Sequence, residues 1–227
     1  MIKKEVLVDR NKEITILFDL DGTLIDSTTA IVGCFYHSFR ELNFDFLGIE
    51  DDIKNEIGYP LDIMYGNLGV EKSRVWDFVD SYKKEYRKIS QAQTYLLENA
   101  LQTVELASSF ARLGVVTTKT TAYTIPILEN FGIMKYFETI IGRQEVENPK
   151  PHPEPVLKAL ENMNLIAHEN IFMIGDTKLD IIAANEAKIS SVAVLCGYGK
   201  KDDLIQYTSN IVTDSLEAVK LIQNKYL

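Results

Sequence analysis

Two cysteines, Cys34 and Cys196, in a chain of 227 residues are too few for a disulfide framework, so a reducing compartment is the simpler setting. A basic surplus is also missing. Against 33 Asp and Glu stand 24 Lys and Arg, a formal charge of −9. That balance excludes the cationic surface needed for non-specific binding to nucleic acid or anionic membranes. Any anionic ligand must therefore find local positive charge. No uninterrupted apolar run approaches the roughly 20 residues of a membrane span. After Met1-Ile2-Lys3-Lys4, the charged Glu5, Asp9, Arg10, Lys12 and Glu13 interrupt the apolar stretch that a secretory signal needs. Internal repeats and low-complexity segments are absent. The expectation is a soluble cytoplasmic protein without nucleic-acid or membrane partners. With 46% hydrophobic residues it can bury a substantial core, as one domain or as a domain with an insertion.

The most informative segment is Ile16-Leu17-Phe18-Asp19-Leu20-Asp21-Gly22-Thr23. An apolar, strand-like run delivers two carboxylates, one residue apart, into a Gly-Thr turn. Residues two apart in a strand share a face, so Asp19 and Asp21 point the same way if the strand continues through both. Two like charges about 4 Å apart repel by roughly 4 kcal/mol at an effective dielectric near 20. Such a pair calls for a cation, a shared proton or a bound substrate. Four fixed identities of this kind match by chance about once in 10⁵ start positions.

From about Leu97 onward, helix and strand alternate, which favours an α/β fold with a parallel sheet. A helix over Asn99–Leu113 is stopped by Gly114 and leads to a strand at Val115–Thr118. A helix over Ala122–Phe131 ends at Gly132, and Thr139–Gly142 is the next strand. Glu154–Met163 reads as a helix with Val156, Leu157, Leu160 and Met163 on one face. Ile171–Ile174 and Ser191–Leu195 read as strands that end at Gly175-Asp176 and Gly197. In an open α/β sheet, ligands bind outside the carboxyl ends of the strands. Asp19, Thr117 and Asp176 each fall at such an end, so three distant segments deliver polar groups to one rim.

Between about Ser27 and Leu96 the alternation disappears and the sequence reads as helices only. Across Glu71–Ser90, Val75, Phe78, Val79, Tyr82, Tyr86 and Ile89 recur at three and four residues, marking an amphipathic helix whose aromatic stripe is read as core. Leu61, Ile63, Met64 and Leu68 suggest a shorter helix near Pro60. The expected organisation is a discontinuous α/β core, 1–26 and 97–227, with a Rossmann-like parallel sheet and a helical cap domain, 27–96, inserted after the first strand.

These motifs, in this order and spacing, resemble the haloacid dehalogenase superfamily in its phosphoglycolate phosphatase-like branch. The resemblance covers nearly the whole chain. It rests on Asp19-Leu20-Asp21-Gly22-Thr23, Val115-Val116-Thr117-Thr118-Lys119, Lys150-Pro151 and Gly175-Asp176-Thr177-Lys178-Leu179-Asp180. It implies a Mg²⁺-dependent phosphatase acting on a small phosphorylated metabolite, with 2-phosphoglycolate the leading candidate. Pyrophosphatase, nucleotidase or sugar-phosphatase activity, a β-phosphoglucomutase-like mutase and a non-catalytic phosphate-binding regulator are the alternatives.

By the same resemblance Asp19 is the nucleophile and Asp21 the general acid and base. Thr117, Thr118, Lys119 and Lys150 hold the phosphoryl group, with Thr117 and Lys150 also counted as catalytic. Asp19, Asp176 and the backbone carbonyl of Asp21 ligate the metal, a hard oxygen site suited to Mg²⁺. Asp180, one helical turn beyond Asp176, orients Asp176, metal-bound water or Lys150, or is simply a negative charge at a helix start. The run Asn148-Pro149-Lys150-Pro151-His152-Pro153 fixes several φ angles and holds the ammonium in place at small entropic cost. His37, His152 and His168 have no metal-site spacing. Arg87 and Arg143 are weak candidates for added positive charge. Gly58-Tyr59-Pro60-Leu61 stands where relatives keep a specificity loop. Two departures are visible: Thr118 replaces a common Asn, and Leu97-Glu98-Asn99-Ala100 replaces a Pro-Gly turn.

Overall fold

The computed structural model describes residues 13–226, so the reading of the first residues as lacking a secretory signal lies outside the described residues, Glu13 apart. Strand β1 (Ile14–Phe18) is buried along its whole length, the mark of a central parallel strand covered on both faces. The others are β4 (Ala111–Val116), β5 (Thr139–Ile141), β6 (Ile171–Gly175), β7 (Ser190–Val194) and β8 (Ile211–Val212). All pair in parallel, in the order β5-β4-β1-β6-β7-β8. Because side chains alternate along a strand, Ile16 and Phe18 face one side and Leu17 the other. The first face packs on α5 (Ala100–Phe110) and α10 (Ser215–Tyr226) through Val104, Ala107, Val219 and Ile222. The second packs on α7 (Glu154–Asn162) and α8 (Lys178–Glu186) through Val156, Leu160, Ala183 and Ala184. Two helical layers thus sandwich a parallel sheet, the doubly covered α/β arrangement expected from the sequence.

A two-residue ribbon, β2 (Ile25–Asp26) paired antiparallel with β3 (Tyr95–Leu96), carries the chain out of this core and back. Between its strands lie α1 (Thr28–Glu41), α2 (Glu50–Lys54), α3 (Leu61–Asn67) and α4 (Val75–Ile89). They close on an aromatic cluster of their own, with Phe35, Phe39, Tyr65, Phe78 and Tyr82 buried. Phe35 and Tyr65 lie 4.5 Å apart by ring centroid, and Phe39 stacks on Phe46 at 4.8 Å. The remaining helices, α6 (Thr121–Asn130) and the short α9 (Lys201–Leu204), connect strands of the core.

Four sequence expectations shift. The helix read through Leu113 stops at Phe110, and Ala111-Arg112-Leu113 opens β4. Arg112 fits a buried strand because Glu138 accepts from its Nε at 2.9 Å and Nη2 at 2.7 Å, and the Met163 carbonyl accepts at 2.9 Å. Gly114 is an interior strand residue, not a helix stop: a Cβ there would lie 2.9 Å from Leu17 and Thr139 side-chain carbons. Gly142 leaves the strand read over Thr139–Gly142 and precedes a single 3₁₀ turn, Arg143–Glu145. Leu157, read on one face with Val156, Leu160 and Met163, is 45% exposed.

Candidate active site

Strands β4, β1 and β6 are neighbours, so their carboxyl ends bring Thr117, Asp19 and Asp176 side by side. Asp19 directly follows β1, its N–H donating to the Ile174 carbonyl at 2.8 Å. The chain then turns at Gly22, whose φ of +82° lies in the left-handed region. A Cβ at Gly22 or at Gly197 would overlap the Asp176 carboxylate, so both glycines are there to let backbone approach that acid. Fully buried Asp176 accepts from Thr23 Oγ1 (3.1 Å) and from the Tyr198 N–H (2.8 Å).

Lys150 reaches the same point from the loop before α7, following the Pro149 turn, and its peptide bond to Pro151 is cis. Its Nζ spends all three donors inside the core: on Asp19 Oδ1 (2.7 Å), Asp180 Oδ1 (2.5 Å) and the Val116 carbonyl (2.9 Å). Burial alone would lower its pKa, but Asp180 and Asp19 outweigh burial and hold the ammonium above the usual lysine range. The other oxygen of Asp180 accepts from the N–H (3.0 Å) and hydroxyl (2.7 Å) of Thr177, which caps α8. One carboxylate therefore serves the helix start and Lys150 together.

A second pair stands beside the first. Lys119 Nζ lies 3.1 Å from Asp21 Oδ2 and donates to Tyr86 Oη at 2.5 Å, with the Tyr86 ring centroid 4.6 Å away. Burial disfavours this ammonium as well, and Asp21 and Tyr86 more than offset it. Asp21 Oδ1 is buried without a hydrogen-bond partner. Thr117 Oγ1 accepts from the Lys119 N–H at 3.2 Å, and Thr118 lines the open space above the rim.

Four carboxyl groups thus face two ammonium groups, a formal excess of two negative charges when all four are ionised. Oxygens of Asp19, Asp176 and Asp180 all lie within 4.8 Å of one another. Burial pushes the Asp19 carboxyl up to about 7, with Lys150 pulling it down and Asp180 and Asp21 pushing it up. Burial, Asp19 and Asp180 hold Asp176 well above the carboxylate range. Oxygen donors, surplus negative charge and glycines that clear space around Asp176 together fit a hard divalent cation.

A cavity of about 320 Å³ opens above Asp19, Asp21 and Thr117. Its far wall comes from the α3 and α4 helices and from Gly58 and Tyr59. Arg143 lines it, whereas Arg87 donates to Tyr123 Oη at 3.3 Å outside it. None of the three histidines reaches the rim: His37 pairs with Glu41, and His152 and His168 accept from nearby backbone N–H groups.

Residues 16–194 match the family described as haloacid dehalogenase-like hydrolase. The chain belongs to that family. It is 31% identical over 211 residues to a phosphoglycolate phosphatase of Colwellia psychrerythraea, covering 87% of this chain and 91% of the relative. Over 183 residues it is 35% identical to the pyrophosphatase PpaX of Oceanobacillus iheyensis, covering 79% and 82%. A haloacid dehalogenase-like hydrolase from Streptococcus pneumoniae superposes with a TM-score of 0.83 at 29% identity, over 92% of this chain and 98% of that one. This haloacid dehalogenase-like hydrolase therefore has phosphatases among its relatives, and its sheet and flanking helices follow the fold of the family.

Sequence reasoning missed three contributors: Tyr86, read only as helix core; Thr23, quoted in the motif without a task; and Tyr198. The signal for Tyr198 was its place between Gly197 and Gly199, two glycines that both approach Asp176. No signal in the chain announced that Tyr86 would meet Lys119, since the contact joins segments 33 residues apart.

Proposed function

We propose that the protein is a Mg²⁺-dependent phosphomonoesterase that works through an aspartyl-phosphate on Asp19. The observation that carries this reading is the buried Asp19–Lys150–Asp180 chain beside Asp176, a carboxylate fixed in direction at the floor of a substrate-sized cavity.

Asp19 attacks phosphorus, forming an O–P bond as the bond to the leaving oxygen breaks, and Asp21 gives its proton to the departing alkoxide. Asp21, now a carboxylate, takes a proton from water. The water oxygen bonds to phosphorus, and the Asp19–phosphorus bond breaks to release phosphate. The partnerless Oδ1 of Asp21 supports that role, since it is a buried oxygen for which the protein supplies no hydrogen bond. Lys150 offsets charge on Asp19 and on the phosphoryl oxygens, and Thr117, Thr118 and Lys119 position that group. Asp19, Asp176 and the Asp21 carbonyl would hold Mg²⁺, whose contribution is to neutralise phosphoryl charge. Asp180 has both oxygens engaged already and acts by holding Lys150 and the start of α8 in place.

Residues 27–96 form a cap over a core of residues 1–26 and 97–227, tied to it beside the site by Tyr86–Lys119 and by Thr28 Oγ1–Tyr198 Oη at 3.0 Å. Opening admits the ester, and closing excludes bulk water from the rim. The substrate is a small phosphorylated metabolite. 2-Phosphoglycolate and pyrophosphate, the substrates named for the relatives, are the first to assay. Two free cysteines support a cytoplasmic setting; among the described residues no helix is long and apolar enough to cross a membrane.

Phosphate release with and without Mg²⁺, across 2-phosphoglycolate, pyrophosphate, nucleotides and sugar phosphates, tests the reading. Release that needs Mg²⁺ and vanishes in Asp19→Asn is expected. Release that persists in Asp19→Asn would overturn the assignment of the nucleophile.

A further inference from the structure

The cavity above the rim is much larger than the group the rim is built to hold. Its 320 Å³ has room for about ten waters at roughly 30 Å³ each. A phosphoryl group occupies about two of those places, and a two-carbon anionic leaving group about two more. Short esters therefore leave most of the chamber wet.

The walls of that remaining space are aromatic and apolar. Trp76, Val79, Tyr82 and Tyr86 recur at three and four residues along α4, so one helix face turns toward the chamber. Tyr59 and Met64 line it from the loop before α3 and from α3 itself. Two of the rings are set in place by the protein. Tyr86 stacks on Tyr82 at 5.4 Å with planes 12° apart, and meets Tyr123 edge-on at 5.2 Å. Trp76 lines the same chamber yet is 61% exposed, an indole with little protein packed over it.

Charge in this upper part is sparse and mixed. The α3 and α4 wall carries one acid, Asp62, and one base, Lys83. Arg143, on the opposite side, has its Nη1 committed to the Val146 carbonyl at 3.0 Å. A second anionic group on the substrate would meet Lys83 and Arg143 in the lining but would still be desolvated against the rings that make up most of the wall. A ring would instead be desolvated against Tyr, Trp and Met side chains arranged to receive it.

We propose that this chamber selects phosphomonoesters whose leaving alcohol carries an aromatic ring, with the ring lying against Trp76 and Tyr59. The proposal rests on the phosphatase reading and adds the substrate class to it. Its test compares kcat/KM for 2-phenylethyl phosphate, ethyl phosphate and 2-phosphoglycolate in the presence of Mg²⁺. None of the three leaving groups is chemically activated, so the ring and the carboxylate are the variables. The phenyl ester is expected to exceed the ethyl ester by about tenfold, 1.4 kcal/mol of differential binding, and to exceed 2-phosphoglycolate as well. In Trp76→Ala and in Tyr59→Ala the phenyl-to-ethyl ratio should fall at least threefold. Trp76 is exposed enough that its truncation spares the fold. A wild-type ratio below about threefold, faster turnover of 2-phosphoglycolate, or a ratio that neither variant changes would overturn the substrate class and leave the phosphatase reading standing. Hydrolysis of none of the three, nor of any other phosphate ester, would overturn both.

Discussion

The two acid–lysine pairs at the rim are built alike and anchored differently. Lys150 bonds Asp19, Asp180 and the Val116 carbonyl, all within the sheet core. Lys119 bonds Asp21 on one side and Tyr86, on α4 of the helical segment between β2 and β3, on the other. The first pair is held entirely by β1, β4, the loop before α7 and the start of α8, whereas the second is complete only when α4 lies over the rim. Under the proposed chemistry, the attacking group is permanently set and the proton-transfer group is set by closure. A nucleophile that never loosens and an acid completed late would favour reaction only with substrate enclosed.

The largest break in this comparison is Asp19→Asn, which removes the attacking oxygen's charge and leaves the second pair untouched. Turnover should fall by about 10⁴-fold or more with the circular-dichroism spectrum unchanged. Next is Lys150→Met, which strands Asp19 and Asp180 without their cation. Losing one member of a buried ion pair costs about 3–5 kcal/mol, so denaturant titration should show a large loss of stability together with low activity. Tyr86→Phe keeps the ring against Tyr82 and Tyr123 and deletes only the hydroxyl bonded to Lys119. A hydrogen bond to a charged group is worth about 1.5–3 kcal/mol. The prediction is a fall in kcat of about tenfold or more with Mg²⁺ affinity unchanged, because the second pair and not the first is disturbed. A parallel loss of Mg²⁺ affinity would show that the two pairs are not independent.

A smaller effect sharpens the same contrast through pH. The Asp19 carboxyl sits near 7 in the metal-free protein instead of its usual 3.8. Its contribution to metal-free stability is therefore fully present below about 3.8 and lost as pH rises through about 7. Cation and proton compete for this carboxylate, so the rise in Tm caused by Mg²⁺ should be larger at pH 8 than at pH 6. Smallest is Asn99, which belongs to neither pair and starts α5 at φ +63°. Asn99→Gly should be nearly neutral and Asn99→Val should cost about 1–2 kcal/mol, read from the shift in denaturant midpoint.

The same division explains what could be read from the chain. Asp19, Thr117 and Asp176 were legible as rim residues because each follows an apolar strand, and strand ends in a parallel sheet converge by topology. The stretch Leu97–Ala100 could be seen as a departure, but not that Asn99 within it takes up a left-handed backbone, which asparagine tolerates better than most residues. By contrast, Ala111-Arg112-Leu113 looked helical because the pattern cannot show Glu138 arriving to pair with Arg112. The aromatic stripe of α4 was read as core, which holds for Phe78 but only half describes Val79, Tyr82 and Tyr86. Those three are buried against neighbours and also face the cavity. A helical period reports burial, and the deep part of a cavity buries its lining nearly as thoroughly as a core does.

The most direct test of the central claim is to quench turnover with acid after mixing the protein, Mg²⁺ and a ³²P-labelled ester that it hydrolyses, and to locate any label on the chain. The account predicts an acid-stable, hydroxylamine-labile phosphate on the peptide containing Asp19, absent from Asp19→Asn. Turnover with no labelled protein in a rapid quench, or label on a different residue, would contradict it.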